Sequence, residues 1–302
     1  MLRATWRSVF ARKLRLFLSA FAVILGVAFV AGSYIFTDSL DRAFTGLTSG
    51  AVGDVIVRPG GTGESGGGPA GAGARTVPGD LVAELAGVPG AARADGRITN
   101  LGTFVVSKAG KLIGGVGPPG IAVNRSDGPA ANGIPSATLV NGRWPAAADE
   151  VVLDELTAGK AGYLLGEQIS LVTATEQGRL EATYVGTASF GGSALLGTSV
   201  VMFDTAKAQD LFTGGEDAFS AIWVTAEPGT SQEQLRAEVA TVLPEGFEAA
   251  TGDATAARAS TRIDEALSFV TTFLLVFAGV ALTVGAFLIV NTFSILVAQR
   301  SR

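Results

Sequence analysis

The stretch LFLSAFAVILGVAFVAGSYIF, residues 16–36, runs for 21 positions without a charge. At a helical rise of about 1.5 Å per residue it is about 30 Å long, the thickness of a bilayer's hydrocarbon core. A second uncharged run covers 34 residues, Ala266–Gln299, and its most apolar part, Phe269–Val290, is again a full span. Charged side chains are costly at the bilayer centre, so their absence from both runs predicts two transmembrane helices, at 16–36 and 267–298. The competing reading is a buried helix in a large soluble core. It does not explain why each run has Arg at one end and acid at the other. A cleaved signal peptide competes for the first run alone, with Ala31, Gly32 and Ser33 as a small-residue cleavage site. The apolar region of such a peptide is about 7–15 residues, shorter than this one.

Orientation follows from the charges beside these runs. All 27 acidic residues lie between Asp38 and Glu265, with 15 of the 22 basic ones, so the middle of the chain carries a net −12. Arg3, Arg7, Arg12, Lys13 and Arg15 precede the first run, and Arg300 and Arg302 follow the second. Basic residues close to a span stay cytoplasmic, while long loops cross whatever their charge. Both termini are therefore expected in the cytoplasm and residues 37–266 outside. Leu2, Trp6, Val9 and Phe10 share one helical face, which predicts a short amphipathic helix over residues 1–15 in the inner headgroup layer. An ordinary cytoplasmic tail has the same composition.

The middle segment reads as a mixed α/β domain. Pro59–Gly73 is rich in Gly and Ser with no apolar face, and predicts a flexible loop. Strands are expected at Val52–Val57, Gly102–Ser107, Lys111–Val116, Asp149–Leu153, Ile169–Ala174, Leu180–Thr187, Thr198–Phe203, Phe219–Thr225 and Phe247–Ala250. The turn at Glu176–Gly178 makes the fifth and sixth of these a hairpin. Helices are expected at Pro78–Ala86, stopped by Gly87, from Asp154 to Ala161, and at Thr205–Phe212. A further helix to Leu243 follows Thr230-Ser231-Gln232-Glu233, read as a capping box. Asp253 is the expected cap of a long helix that runs through Arg258 and Arg262 into the second span.

The chain has no His and no Cys. Ser-His-Asp and Cys-His catalytic sets are therefore impossible, the usual zinc ligands are missing, and disulfides cannot stabilise the outer domain. Gly63-Glu64-Ser65-Gly66-Gly67 fits a nucleophile-elbow pattern, but it lies in a glycine-rich loop without a partner base. The acid pairs Asp149/Glu150 and Asp154/Glu155 sit at a strand end and a helix start, where solvated caps are the ordinary outcome. Gly110-Lys111 and Gly159-Lys160 lack the upstream glycine of a phosphate-binding loop. No catalytic, cofactor-binding or metal-binding residue is assigned, no cofactor is expected, and the acidic middle argues against nucleic acid. Arg outnumbers Lys 17 to 5 amid abundant Ala and Gly, as in GC-rich bacterial coding. Small residues four apart within the spans (Ala22/Gly26, Ala28/Gly32, Gly279/Thr283, Ala281/Gly285) permit close helix packing in lipid, and the Ala/Gly-rich composition also produces such pairs. Asn291, Thr292 and Ser294 either bond to neighbouring helices or sit in the interface.

The run Leu288-Ile289-Val290-Asn291-Thr292-Phe293-Ser294-Ile295-Leu296-Val297-Ala298-Gln299-Arg300 resembles the start of the FtsX-like permease domain of ABC transporters. Trp6-Arg7-Ser8, Arg12-Lys13-Leu14-Arg15 and Thr37-Asp38-Ser39-Leu40 around the first run are similar to that family's first helix. Asn141-Gly142-Arg143-Trp144-Pro145, Asp149-Glu150-Val151-Val152-Leu153 and Gly162-Tyr163-Leu164-Leu165-Gly166-Glu167 resemble the MacB-like extracytoplasmic core domain. The resemblance implies a permease subunit with a cytoplasmic ABC ATPase partner, a permease dimer partner and a lipid bilayer around the spans. It also implies stalk helices that carry motion to the outer domain, which makes Asp38, Asp41, Arg42, Arg258, Arg262, Asp264 and Glu265 candidates for coupling or simply solvated faces. Family members continue past residue 302, so residues 299–302 are expected to begin a truncated cytoplasmic segment; a short two-span protein is the alternative. Two rival functions stand beside transport: a membrane-anchored binding or sensing domain, and an activator of a cell-wall hydrolase.

Overall fold

The computed structural model describes residues 52–61, 75–114, 120–175, 177–190 and 198–258, single positions at 24, 32 and 261, and helical positions between 272 and 294. The chain divides into two compact units, residues 1–44 with 259–302, and residues 45–258. In the first unit the expected spans fall almost wholly outside the described residues, as does the amphipathic segment 1–15. Among the described residues no helix is long and apolar enough to cross a membrane. The described positions there are helical, and Ile24, Phe273, Val276, Phe277, Val280, Val284 and Phe287 are all more than half exposed.

The second unit begins with β1 (Val55–Pro59), β2 (Val77–Pro78), α1 (Asp80–Ala86), β3 (Ala91–Arg97), β4 (Thr99–Leu101), β5 (Phe104–Val106), β6 (Leu112–Ile113) and β7 (Ile121–Asn124). After a short 3-10 turn at Ala131–Gly133 come β8 (Ala137–Gly142), β9 (Glu150–Asp154), α2 (Glu155–Ala161), β10 (Gln168–Val172) and β11 (Arg179–Phe190). The last elements are β12 (Val200–Phe203), α3 (Thr205–Phe212), β13 (Ala218–Phe219), β14 (Ala221–Ala226), α4 (Gln232–Val242) and β15 (Phe247–Thr251).

These elements build two lobes. The smaller is an antiparallel sheet of order β15-β1-β14-β3. Taken in chain order with α1 and α4, it is a β-α-β-β-α-β unit, a split βαβ arrangement. Alternation along β1 and β14 sends Val55, Val57, Ile222 and Val224 to one face. There they meet Leu81 and Leu85 of α1 and Leu235 and Val239 of α4, all buried. In place of a hairpin loop between β3 and β14, the whole second lobe is inserted as residues 98–220. It leaves and returns at the paired positions Arg97 and Ala221.

The larger lobe is a nine-stranded mixed sheet of order β4-β7-β12-β9-β11-β10-β5-β6, with β8 also on β11. Laid flat, six strand spacings would put β4 about 29 Å from β5. Only Gly102 and Thr103 separate the two strands in the chain, a reach of at most about 11 Å. The sheet therefore curls back on itself like a barrel. The amides of Gly102 and Thr103 both donate to the carbonyl of Gly120 at the closing seam, at 2.8 and 3.3 Å. Val105, Val151, Leu153, Ile169, Leu171, Val201 and Phe203 fill the interior. Phe203 meets Phe212 of α3 edge to face, with ring centroids 6.0 Å apart.

Several sequence expectations shift by a residue or two. Pro59 ends β1 rather than opening the glycine loop, and the rest of that loop lies outside the described residues. The strand expected from Val52 starts at Val55, because the chain bends at Val52 and Asp54. The strand expected over Phe219–Thr225 breaks at Ser220, the crossing between lobes. The capping box belongs to Ser231 and Gln234, not Thr230 and Glu233: Ser231 Oγ accepts from the Gln234 amide at 3.2 Å, and Gln234 Oε1 accepts from the Ser231 amide at 3.0 Å.

Candidate functional site

The sequence offers no catalytic, cofactor-binding or metal-binding residue. Among the described residues no group of three His, Cys, Asp or Glu is placed to hold a metal ion. Of the coupling candidates, Arg258 is exposed and helical, the last described position of the run 252–258. Asp38, Asp41, Arg42, Arg262, Asp264 and Glu265 lie outside the described residues. What the fold does assemble is a junction, where the chain comes into the small lobe at Val52 and leaves it at Gly252.

Antiparallel pairing sets Val55 of β1 opposite Thr251 of β15, so the two passages lie side by side. The Gly252 amide donates to the carbonyl of Asp54 at 2.8 Å. Both glycines are required by close approach. A Cβ at Gly252 would run into the carbonyl oxygen of Gly53, and a Cβ at Gly53 would lie 2.7 Å from Cβ of Trp223. Segment 252–258 then starts on a cap two residues earlier than expected. Thr251, not Asp253, is the capping residue, its Oγ1 accepting from the Ala254 amide at 3.2 Å. Asp253 instead exchanges hydrogen bonds with the Gln232 side chain at the start of α4, at 3.0 and 3.2 Å.

Asp54 is buried at 6% exposure. A buried carboxylate needs donors, and Asp54 has two: Oδ1 accepts from the Asn132 amide and Oδ2 from the Ala226 amide, both at 3.0 Å. The Ala131 amide donates to the carbonyl of Val52 at 2.6 Å. The loop after β7, residues 125–136, thus reaches from the barrel lobe to the junction. It lies over the sheet face opposite α1 and α4. On that face Arg97 stacks 4.0 Å over the Trp223 ring. Its Nη2 donates to the Gly128 carbonyl at 2.7 Å and to Ser136 Oγ at 3.3 Å, while Nε is buried with no hydrogen-bond partner. Burial pushes Arg97 down to about 10, opposed by Asp95, which still leaves it cationic at neutral pH.

The outer-domain motifs that carry the family resemblance are turn chemistry, while those around the two uncharged runs fall almost wholly outside the described residues. Gly142 and Gly186 lie where β8 crosses β11, and a Cβ on either would strike the other strand's backbone. Arg143 closes onto Glu150 in a two-pronged ion pair, and the Ala146 amide donates to the same carboxylate at 2.9 Å. These bonds, Arg143 first, hold the Glu150 carboxyl down to about 2. Gly162 ends α2 in the left-handed region (φ 74°), and Glu167 accepts from Lys108 Nζ and the Leu164 amide at 2.8 Å each. Asp154 caps α2 through the Thr157 amide at 3.0 Å and also accepts from the Val200 amide at 2.7 Å.

The family model for the MacB-like periplasmic core domain matches residues 16–242, well over half of the chain. The chain belongs to that family. Solved structures similar to this MacB-like domain include the periplasmic region of MacB from Actinobacillus actinomycetemcomitans, at 12% identity and TM-score 0.46, covering 68% of this chain and 92% of that one. Another is the extracellular domain of the noncanonic ABC-type transporter YknZ from Gram-positive bacteria, at 12% identity and TM-score 0.43, covering 65% and 99%. A third is a domain of a putative permease protein from Porphyromonas gingivalis, at 16% identity and TM-score 0.38, covering 67% and 89%. No curated protein matches the chain. The MacB-like family is thus legible in short turn motifs. Asp54, Arg97, Asn132 and Trp223 at the junction carry little local signal, because each finds its partner far along the chain: Arg97 reaches Gly128 31 residues away and the Trp223 ring, and Asp54 reaches the amides of Asn132 and Ala226, 78 and 172 residues away. The only local hints are Gly53-Asp54 before an apolar strand and the turn pair Asn132-Gly133.

Proposed function

We propose that this chain is a permease subunit of an ABC transporter of the MacB/FtsX type. It would couple ATP hydrolysis by a separate cytoplasmic ATPase to a conformational change outside the membrane, for export or extraction of a substrate. The family match over residues 16–242 carries this reading. In it the chain itself is non-catalytic, works as a dimer of permease halves, and sits in a bacterial plasma membrane. Residues 1–15 lie on the inner leaflet, 16–36 and 267–298 cross, 37–266 stand outside with stalk helices, and 299–302 return to the cytoplasm. Two observations support the layout. The domain's two passages adjoin, as insertion between neighbouring helices requires. The exposed residues Phe273, Val276, Phe277, Val280, Val284 and Phe287 follow helical spacing, and such an apolar stripe is costly against water but favourable against lipid.

The test uses the absence of cysteine. Single cysteines at Ser8, Glu84 and Arg300 are labelled in intact cells with a membrane-impermeant maleimide. Labelling of Glu84→Cys alone, together with co-purification of an ABC ATPase, is the expected result. Labelling of either terminal position, or purification without an ATPase, overturns the reading.

A further inference from the structure

The two lobes are joined at one end of the small sheet and strapped together at the other. At the joined end, β3 runs into β4 across Ile98 alone, and β13 into β14 across Ser220 alone. The two crossings are tied to each other, the Thr99 amide donating to Ser220 Oγ at 3.2 Å. Beside these two single-residue crossings the lobes also meet in the two-residue ladder of β2 with β13, the Gly79 amide donating to the Asp217 carbonyl at 2.8 Å, and in Val82 of α1 against the barrel core, so this end is the pivot about which the barrel can tilt. By register, Arg97 and Ala221 lie beside the top of β1, whereas the Val52–Gly252 junction lies at its bottom. Strap 125–136 leaves the barrel after Asn124, crosses the open face of the sheet, touches the junction at Ala131 and Asn132, and returns past Gly128 at Ser136 into β8 of the barrel.

The strap's grip is specific. Arg97 holds its start through the Gly128 carbonyl, and Gly128 packs so close to Asp95 that a side chain there would overlap the carboxylate. Ala130 and Ala131 are each 1% exposed. Beyond them the Ala131 and Asn132 amides reach Val52 and Asp54. Asn132 takes φ 61°, a left-handed conformation that Asn tolerates better than most residues, and this aims its amide at the carboxylate. Asp54 bonds at the same time to the strap, to the end of β14 and, through its carbonyl, to Gly252. One residue therefore senses both the strap and the separation of the two passages.

We propose that residues 125–136 are a latch. Bonded to Val52 and Asp54, the strap fixes the barrel's angle on the Arg97/Ala221 hinge. When the passages at Val52 and Gly252 move apart, the Asn132–Asp54 and Ala131–Val52 bonds break and the barrel swings free. The latch is a property of the folded domain and does not depend on the permease reading.

The experiment uses the full chain, purified without an ATPase, with spin labels on Glu84→Cys in α1 and Lys160→Cys in α2. Both side chains are exposed, and the chain has no other cysteine. The expected result is a single narrow interlobe distance in the parent, and a broadened or second distance in Asp54→Asn and in Asn132→Pro. Proline removes the donated N–H and cannot adopt φ 61°. Unchanged distances in both variants overturn the latch. Because Asp54→Asn alters a buried group and can unfold the small lobe, Asn132→Pro, at an exposed position, decides between them. Hydrogen exchange on the unsubstituted protein gives an independent reading. The Ala131 and Asn132 amides should exchange together and ahead of Val57 in β1, and exchange of all three at one common rate overturns the proposal.

Discussion

The Gly252 amide and the Asp54 carbonyl meet at 2.8 Å, so the points where the chain enters and leaves its folded domain are one hydrogen bond apart. Everything between them, the inserted barrel included, is one long excursion closed by that contact. Any movement of the flanking segments relative to each other is applied there first. Central strand β1 is buried along its whole length, so it moves with the small lobe rather than peeling from it.

Gly252→Ala is therefore expected to destabilise the domain. The new Cβ meets the backbone carbonyl of Gly53, which cannot rotate away as a flexible side chain would. Overpacking of this kind costs about 1–3 kcal/mol, and each kcal/mol lowers Tm by about 2–4 °C in a domain of this size. Gly159→Ala, in α2 where a Cβ meets nothing within 4 Å, is the control. It should leave Tm unchanged or raise it. Thermal denaturation followed by circular dichroism checks both.

The elements that were legible in the sequence carry their own local signal. Asp154 before Glu155–Ala161, the turn before β11, and the Thr205–Phe212 helix all emerge where expected, because caps, glycine stops and alternation lie within a few residues. Strands β3, β4, β7 and β8 were not anticipated. β3 reads Ala-Ala-Arg-Ala-Asp-Gly-Arg, without alternating large apolar residues. Its Gly96 is required because the Phe219 ring lies against the backbone there. The split of the outer domain into two lobes depends on the pairing of Arg97 with Ala221 across 124 residues, which no window of sequence contains.

The Arg143–Glu150 clasp gives the domain a predictable acid limb. Glu150 titrates at about 2 in the folded protein against an ordinary value of 4.5. Between these values the unfolded chain binds more protons than the folded one, so stability rises with pH there and is lost as pH falls toward 2. Arg143→Gln removes the chief cause of the depression. The two proteins should differ in urea midpoint at pH 7 and converge as the pH approaches 2. A constant difference across that range would show that Arg143 acts only through packing.

At the start of α4, Ser231→Ala should cost about 1 kcal/mol, the usual loss for a capping hydroxyl. Ser231→Asp should restore most of it, because a carboxylate accepts from the Gln234 amide and suits the helix N-terminus. Paired urea titrations of the variants measure the difference. Equal midpoints for Ser231→Ala and the parent would place the cap elsewhere.

Two exposed valines separate the proposed lipid surface from an ordinary one. Val280 is 58% exposed and Val140 53% exposed, so exposure alone does not distinguish them. Val140 stands on β8, paired only with β11 among the described residues. Arg there meets water and should leave stability within about 0.5 kcal/mol of the parent. Val280 lies near the centre of the uncharged run 266–299, and in the proposed topology it faces hydrocarbon. Arg at the centre of such a helix costs about 2.5–3.5 kcal/mol on insertion scales, enough to shift a marginal span out of the membrane. Carbonate extraction should leave both variants in the membrane fraction with the parent, because residues 16–36 still anchor the chain when the second span fails, so the state of that span is read at its far end. The maleimide label at Arg300→Cys should then become reachable from outside in the Val280→Arg background. If the Arg300 position stays protected in both variants, residues 267–298 are not a lipid-facing span and the proposed layout falls with them.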